Sequence, residues 1–288
     1  MLQYFSQDID QIKISKVQYF SIAICFLMNV LDGMDVLVVS YCAPAIAQAL
    51  KLGPKTLGIV FSAGLVGMAI GAIFLAPYAD KFGRKKLILA SAFIMGFSVL
   101  LTALSENILQ LVIMRLISGL GIGCMLATTA TLTSENVLNN SKDFWVSLVI
   151  SGYPVGAVIS GYIAATVIPS YGWESMFIFA GLTTLLTIPL TYFFLTESPQ
   201  FYLKKQPFGA LEKVNKLFIK MNLRPLDNLP EFRLNLKNKP LVSQLFSNKY
   251  KLSTLQLWAA LFFAFGCLYF LISWIPKLAT DAGLSIEL

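Results

Sequence analysis

Apolar positions in this chain come in long unbroken blocks, unlike the spaced stripes of a water-soluble helix. Residues 56–79 and 87–105 contain no charged side chain, and each block approaches or exceeds the roughly 20 residues a helix needs to cross a hydrocarbon core. Cutting the chain at its charges gives seven blocks: 17–50, 56–79, 87–105, 108–134, 144–169, 176–196 and 252–276. Main-chain groups in lipid must be satisfied internally, so the pattern predicts seven transmembrane helices. Short connections predict that successive helices among the first six are neighbours in an antiparallel bundle. A polar linker at 197–251 separates the sixth block from the seventh. In it Lys204, Lys205, Lys213, Lys216 and Lys220 alternate with Phe208, Leu211, Val214, Phe218 and Met221 at helical spacing. That spacing predicts an amphipathic helix lying on anionic lipid, with Pro225, Pro230 and Pro240 breaking the pattern beyond it. The chain thus divides into a tail (1–16), a six-span bundle (17–196), a basic linker (197–251) and a seventh span with an outer tail (252–288).

Composition agrees, since 57% hydrophobic and 13% charged residues with a mean hydropathy of +0.72 exclude an ordinary soluble domain. The distribution of Lys and Arg sets the orientation. With the N-terminus inside, inner segments hold 18 of the 22 basic residues: 2 in the tail, 4 in the turn at 80–86, Lys142, and 11 in the linker. Outer segments hold only Lys51, Lys55 and Lys277, and Arg115 falls within a span. Basic loops resist translocation, so the expected location is the inner (plasma) membrane with a cytoplasmic N-terminus. Topology therefore accounts for the net charge of +7, and no nucleic-acid partner is expected. The first 16 residues carry Asp8 and Asp10 and no apolar core, so the first span is expected to act as the insertion signal. Trp145, Trp173, Trp258 and Trp274 fall near span ends, where headgroup contact is expected. Cys25, Cys42, Cys124 and Cys267 lie within spans at no metal-like spacing and read as packing residues. The sequence has no His and no Gly-x-Ser-x-Gly, so neither an enzyme nor a metal or cofactor is expected. An inside N-terminus also runs against a seven-span receptor.

Three ionisable residues interrupt the spans: Asp32, Asp35 and Arg115. Intramembrane charges are costly and mark cavities, partners or pathways. A rise of about 1.5 Å per residue places Asp32 roughly 8 Å from the outer surface of the core and Arg115 about 11 Å from it, so one first-span acid is expected to face Arg115. Asp32 and Asp35 share a helix face, with Gly33 between them leaving room for close approach. Two carboxyls in a partly dry site resist being ionised together, so one is expected to carry a proton, as proton coupling requires. The plainer alternative is a permanent pair that only ties two helices. Glu135 lies about 30 Å along the helix from Arg115, at the inner end of the fourth span. There it is expected to join Asp80 and Arg84 in a cytoplasmic charge network that acts as a latch. Tyr269, Phe270 and Trp274 of the seventh span are candidates for an apolar slot. Small residues recur every fourth position: Ala63, Gly67 and Gly71; Gly119, Gly123 and Ala127; Gly152, Gly156, Ser160 and Ala164. Such stripes predict close helix packing in lipid.

These residues resemble the major facilitator superfamily. The run Asp80-Lys81-Phe82-Gly83-Arg84-Lys85-Lys86 is similar to its signature turn between spans two and three, with Ala76 in place of the usual leading Gly, a departure expected to loosen that helix contact. Arg115 followed by Gly119, Gly121 and Gly123 resembles the fourth-span motif. Gly152-Tyr153-Pro154-x-Gly156 with Gly161 resembles the fifth. A narrower resemblance is to the aromatic acid:proton symporters. It is carried by Leu31-Asp32-Gly33-Met34-Asp35, Ala43-Pro44-Ala45-Ile46-Ala47, Leu132-Thr133-Ser134-Glu135, Tyr171-Gly172-Trp173, Glu197-Ser198-Pro199-x-Phe201, Ser273-Trp274-Ile275-Pro276 and Ala282-Gly283-Leu284-Ser285.

The resemblance implies an all-α membrane protein: an N-terminal six-helix bundle, a cytoplasmic linker and the first helix of a second bundle. It implies symport of an anionic small molecule such as 4-hydroxybenzoate or benzoate with a proton. Asp32, Asp35, Arg115 and Glu135 match the family's functional positions. Arg115 is expected either to attract the substrate carboxylate or to balance the first-span acids. Twelve spans are usual, so the chain reads as truncated after the seventh. A carrier of sugars or other organic acids, and a remnant or half-transporter lacking its second bundle, are the alternatives. The particular substrate and the oligomeric state stay open.

Overall fold

The computed structural model describes residues 14–137, 141–230, 246–247 and 250–283. Residues 1–13, 138–140, 231–245, 248–249 and 284–288, with the expectations attached to them, lie outside that description. The helices are α1 (Lys16–Ala49), α2 (Pro54–Phe82), α3 (Arg84–Thr102), α4 (Ile108–Asn136), α5 (Lys142–Tyr171), α6 (Trp173–Phe194), α7 (Pro199–Lys205), α8 (Ala210–Lys220) and α9 (Lys251–Asp281). All except α7 and α8 are long and apolar enough to cross a membrane. No strand occurs among the described residues, and the chain is an all-α membrane protein.

Local chemistry sets the helix ends. Ser15 begins α1 in a capping box: its main-chain N–H donates to Gln18 Oε1 at 2.8 Å, and its hydroxyl accepts from the Gln18 N–H. Asn107 Oδ1 likewise accepts from the Gln110 N–H at the start of α4. Within α2, Pro77 has no N–H to continue the ladder. Ahead of it the helix widens into a π turn over Gly71–Leu75, with the Ala76 N–H reaching the Gly71 carbonyl. It then tightens into a single 3-10 turn at Ala76–Tyr78.

The closest helix pairs are α1 with α5, α2 with α4, α3 with α4 and α3 with α6. Only α3 and α4 are successive; the successive pairs α1/α2, α4/α5 and α5/α6 also touch, as short loops lead one to expect, but less closely. Small residues decide the packing instead. A side chain at Gly67 or Gly71 of α2 would fall on the carbonyl oxygens of Leu116 or Leu120 of α4. On α4, Gly119 and Gly123 meet the carbonyls of Gly64 and Met68 in the same way. Between α1 and α5, Gly152 and Gly156 lie on the carbonyls of Phe26 and Val30, and Gly33 lies on that of Tyr153. Contacts this close require the absence of Cβ. Exchanging α1–α3 for α4–α6 turns the α1/α5 pair into α4/α2 and the α3/α4 pair into α6/α1, which also pack. That is the packing of an inverted internal repeat.

Two expectations about surfaces are corrected. The apolar stripe of α8 does not lie on lipid: Val214, Leu217, Phe218 and Met221 are buried in a small separate core with Leu203 of α7 and Leu223. The stripe carries enough apolar area to close a core with its own neighbours, so burial there wins. Trp173 sits at the start of α6 but is buried in the main core, with its main-chain carbonyl accepting from Cys42 Sγ. Helix α9 contrasts with the rest, since of its residues only Thr254 is buried.

Candidate functional site

Two clusters of charge lie at different levels of the bundle. The deeper one joins α1 to α4. Arg115 Nη1 donates to Asp35 Oδ1 at 3.0 Å, and Nη2 donates to the main-chain carbonyl of Asp35, also at 3.0 Å. Both side chains are nearly inaccessible, at 3% and 2% exposure. Asp32, one turn earlier on α1, is fully buried, and neither of its carboxyl oxygens has a hydrogen-bond partner among the described residues. Asp35 Oδ2 is likewise unpartnered. Tyr153 of α5 and Tyr269 of α9 approach one another beside the two acids.

Next to the guanidinium lies a cavity of about 20 Å³ lined by Phe61, Gly64, Met68, Arg115, Tyr269 and Ser273. Its size suits a single water. Beyond it α2 and α9 diverge around an open cleft of about 880 Å³, walled by Phe61, Leu65, Trp258, Phe265, Phe270 and Trp274. All three candidate slot residues line this cleft. Tyr269 also reaches the Arg115 cavity, Trp274 meets the Phe61 ring edge-on at 5.6 Å between centroids, and the Phe270 ring, exposed on α9, lies 6.5 Å from that of Trp274.

The second cluster lies at the end of the bundle where α1 starts and α4 ends. Arg84, at the first position of α3, is buried and sits between two acids. Its Nη2 donates to Glu135 Oε1 at 3.0 Å, its Nε lies 2.9 Å from Glu135 Oε2, and Nη2 also reaches Asp80 Oδ1 at 2.5 Å. Asp80 is 78% exposed, so water weakens that contact while the Arg84–Glu135 pair stays dry. Glu197, just past α6, completes the arrangement. Its carboxylate accepts from the N–H groups of Arg84 at 2.8 Å, Lys85 at 3.2 Å and Ser198 at 2.9 Å. An anion at the free N–H groups of α3 is favoured by the helix dipole. Burial is nonetheless the largest influence on Glu197 and pushes its carboxyl above the ordinary value of 4.5.

The sequence patterns quoted for Glu197 single out no partner for it, and two buried amides escape notice altogether. Gln18 Nε2 donates to the Asn136 carbonyl at 2.6 Å, tying the start of α1 to the end of α4. Asn29 Nδ2 donates to Thr129 Oγ1 at 3.0 Å across the same interface. The signal was present in both cases: a carboxamide on the inward face of an apolar span is as conspicuous as an acid.

Together the fold and its buried ion pair define an all-helical, multi-pass membrane protein. The sequence matches the Major Facilitator Superfamily over residues 25–288, and the chain belongs to that family. It is 34% identical over 286 residues to a gallate transporter of Pseudomonas putida, covering 97% of this chain and 62% of the relative. It is 33% identical to the 4-hydroxybenzoate transporter PcaK of Acinetobacter baylyi, with the same shares of 97% and 62%. A solved bacterial homolog of the human lysosomal transporter Spinster shares the fold, with a TM-score of 0.71 at 16% identity over 94% of this chain and 57% of its own. These are names of transport proteins and not of enzymes. The chain spans about 62% of the length of the curated relatives it matches.

Proposed function

We propose that these helices belong to a proton-coupled symporter of an aromatic carboxylate. The observation that carries the reading is Asp32: a fully buried carboxyl with no hydrogen-bond partner among the described residues, one turn from an acid that is paired with a buried arginine. A carboxylate is too costly to bury bare, so Asp32 serves as the proton carrier and Asp35 as its relay to Arg115. Arg115 balances Asp35 at rest and takes the substrate carboxylate when Asp35 is neutral. Tyr269 approaches the substrate ring, with Phe270 and Trp274 at the cleft beyond it. Asp80, Arg84 and Glu135 form the cytoplasmic latch, supported by the dry Arg84–Glu135 contact. The 18-to-3 division of basic residues supports a cytoplasmic N-terminus in the inner membrane. The named relatives support an aromatic acid as cargo.

A second form of the reading rests on α9. Its exposure along nearly its whole length favours a bundle that transports only when further helices pack against it. Uptake of labelled 4-hydroxybenzoate and gallate into vesicles under an imposed pH gradient tests both forms, with the chain alone and joined to the remaining length of a relative. Loss of gradient-driven uptake in Asp32→Asn and Arg115→Ala is expected. Unchanged uptake removes those residues from the mechanism.

A further inference from the structure

Asn29 is buried at 1% exposure where α1, α4 and α5 meet, and its hydrogen bonds fix which way its amide faces. Both hydrogens of Nδ2 are used, one to the Cys25 carbonyl at 2.9 Å and one to Thr129 Oγ1 at 3.0 Å. Thr129 spends its own hydrogen on the Met125 carbonyl at 2.9 Å, so towards Asn29 it only accepts. A flipped amide would set oxygen against two acceptors, so the orientation is determined. Asn29 Oδ1 is therefore directed away from both contacts, and it has no partner among the described residues. One turn further along the same helix face stand the two unpartnered oxygens of Asp32. Tyr153 Oη and Arg115 Nε nearby are also unpartnered among the described residues, but neither lies on the α1 face that Asn29 and Asp32 share.

We infer that Asn29 is a positioning residue for the transported proton: when Asp32 is neutral, its O–H donates to Asn29 Oδ1. The inference rests on the proton-carrier reading of Asp32 and deepens it. A single proton satisfies a buried acceptor on each residue. Thr129 contributes by holding the amide with its oxygen outward, which places α4 in control of a hydrogen bond within α1. The other groups around Asp32 are Asp35 on α1, Arg115 and Cys124 on α4, Tyr153 on α5 and Tyr269 on α9. Arg115 already faces Asp35, and Asn29 has the free acceptor with a fixed direction.

The test is pH-dependent infrared difference spectroscopy of the purified whole chain in lipid vesicles, which reads protonated carboxyl groups without requiring uptake. A carboxylic-acid carbonyl band that disappears in Asp32→Asn is expected; its absence from the wild type overturns the proton-carrier reading and this inference with it. In Asn29→Leu, which keeps the volume and strands no donor, the band is expected to remain, to shift as its O–H loses an acceptor, and to titrate at lower pH, with roughly tenfold weaker proton affinity. Thr129→Val is expected to move the band the same way by less, because the amide keeps its bond to Cys25. A band in Asn29→Leu that matches wild type in position and midpoint overturns the role of Asn29 and leaves Asp32 as the carrier. Helix content from circular dichroism accompanies each variant, and a folded Thr129→Val decides the matter should Asn29→Leu unfold.

Discussion

The carboxylate of Glu197 occupies the space that a side chain on Gly83 would fill. Gly83 holds φ +101° and ψ 150°, a conformation almost confined to glycine. The same residue therefore turns the chain between α2 and α3 and leaves room for the acid that accepts from the first N–H groups of α3. Gly83→Ala is expected to lose at least about 1–3 kcal/mol from backbone strain alone, read as a fall in thermal unfolding temperature in detergent. Wild-type stability in that variant would show that the turn does not hold residue 83 in the conformation that favours glycine.

Glu197 also sets a pH dependence. Its folded-state carboxyl titrates above the ordinary 4.5, chiefly through burial, while the N–H groups of Ser198, Arg84 and Lys85 and the charge of Arg84 pull downward. The folded chain therefore holds this proton more tightly than the unfolded chain. The stability it adds is complete below pH 4.5 and is lost as pH rises through the folded value. Glu197→Gln cannot ionise, so the wild-type-minus-variant stability is expected to fall as pH rises through this window and then level off. Unfolding curves across pH give the answer, and a constant difference would contradict it.

For the deep ion pair, Arg115→Ala leaves Asp35 buried and unpaired, a change that typically costs about 3–5 kcal/mol. The double variant Arg115→Met with Asp35→Leu removes both charges and is expected to recover most of that stability. Uptake is expected to fail in both. Recovery of uptake along with stability would reduce the pair to a tie between helices.

At Gly67 and Gly119 the α2/α4 contact leaves no room for a Cβ. Gly119→Val and Gly67→Val each drive a branched side chain into a facing carbonyl, and overpacking of this kind costs about 1–3 kcal/mol or more. The yield of folded protein on size-exclusion chromatography is expected to drop for both. Gly53→Val is the control, since nothing among the described residues lies within 4 Å of a Cβ there.

The linker core is a hydrophobic cluster distinct from the main one. Phe218→Ala empties the centre of a cluster that includes Val214, Leu217 and Met221, at a typical cost of about 3–5 kcal/mol. Limited proteolysis is expected to cut faster within 199–230 while the spanning helices keep their helicity. Unchanged cleavage would place the support of α8 elsewhere.

Much of this architecture could be read from the chain, because lipid imposes a simple rule: charges end helices or need a reason to be inside one. The spans follow from that rule alone. Depth counting narrows the partners of Arg115 to the first-span acids, but it cannot choose between Asp32 and Asp35, since rotation about a helix axis is set by packing. Neighbour relations were the weakest inference for a related reason. Loop length limits how far apart two helices sit, whereas Gly67 against Leu116 and Gly156 against Val30 determine which faces approach most closely. The linker helix shows a third limit, since periodicity reveals that α8 has an apolar face and is silent about what covers it. Asn29 was legible in principle; only the three-dimensional fixing of its amide by Cys25 and Thr129 gives it a direction.

Arg115 is tethered to Asp35 twice, once by charge and once through a neutral main-chain oxygen. The two tethers answer differently to a proton. Neutralising the acid cancels the first and leaves the second intact, so the guanidinium keeps its address while its charge goes unanswered. An anionic guest would then meet a fixed positive point with no side chain to be moved out of its way.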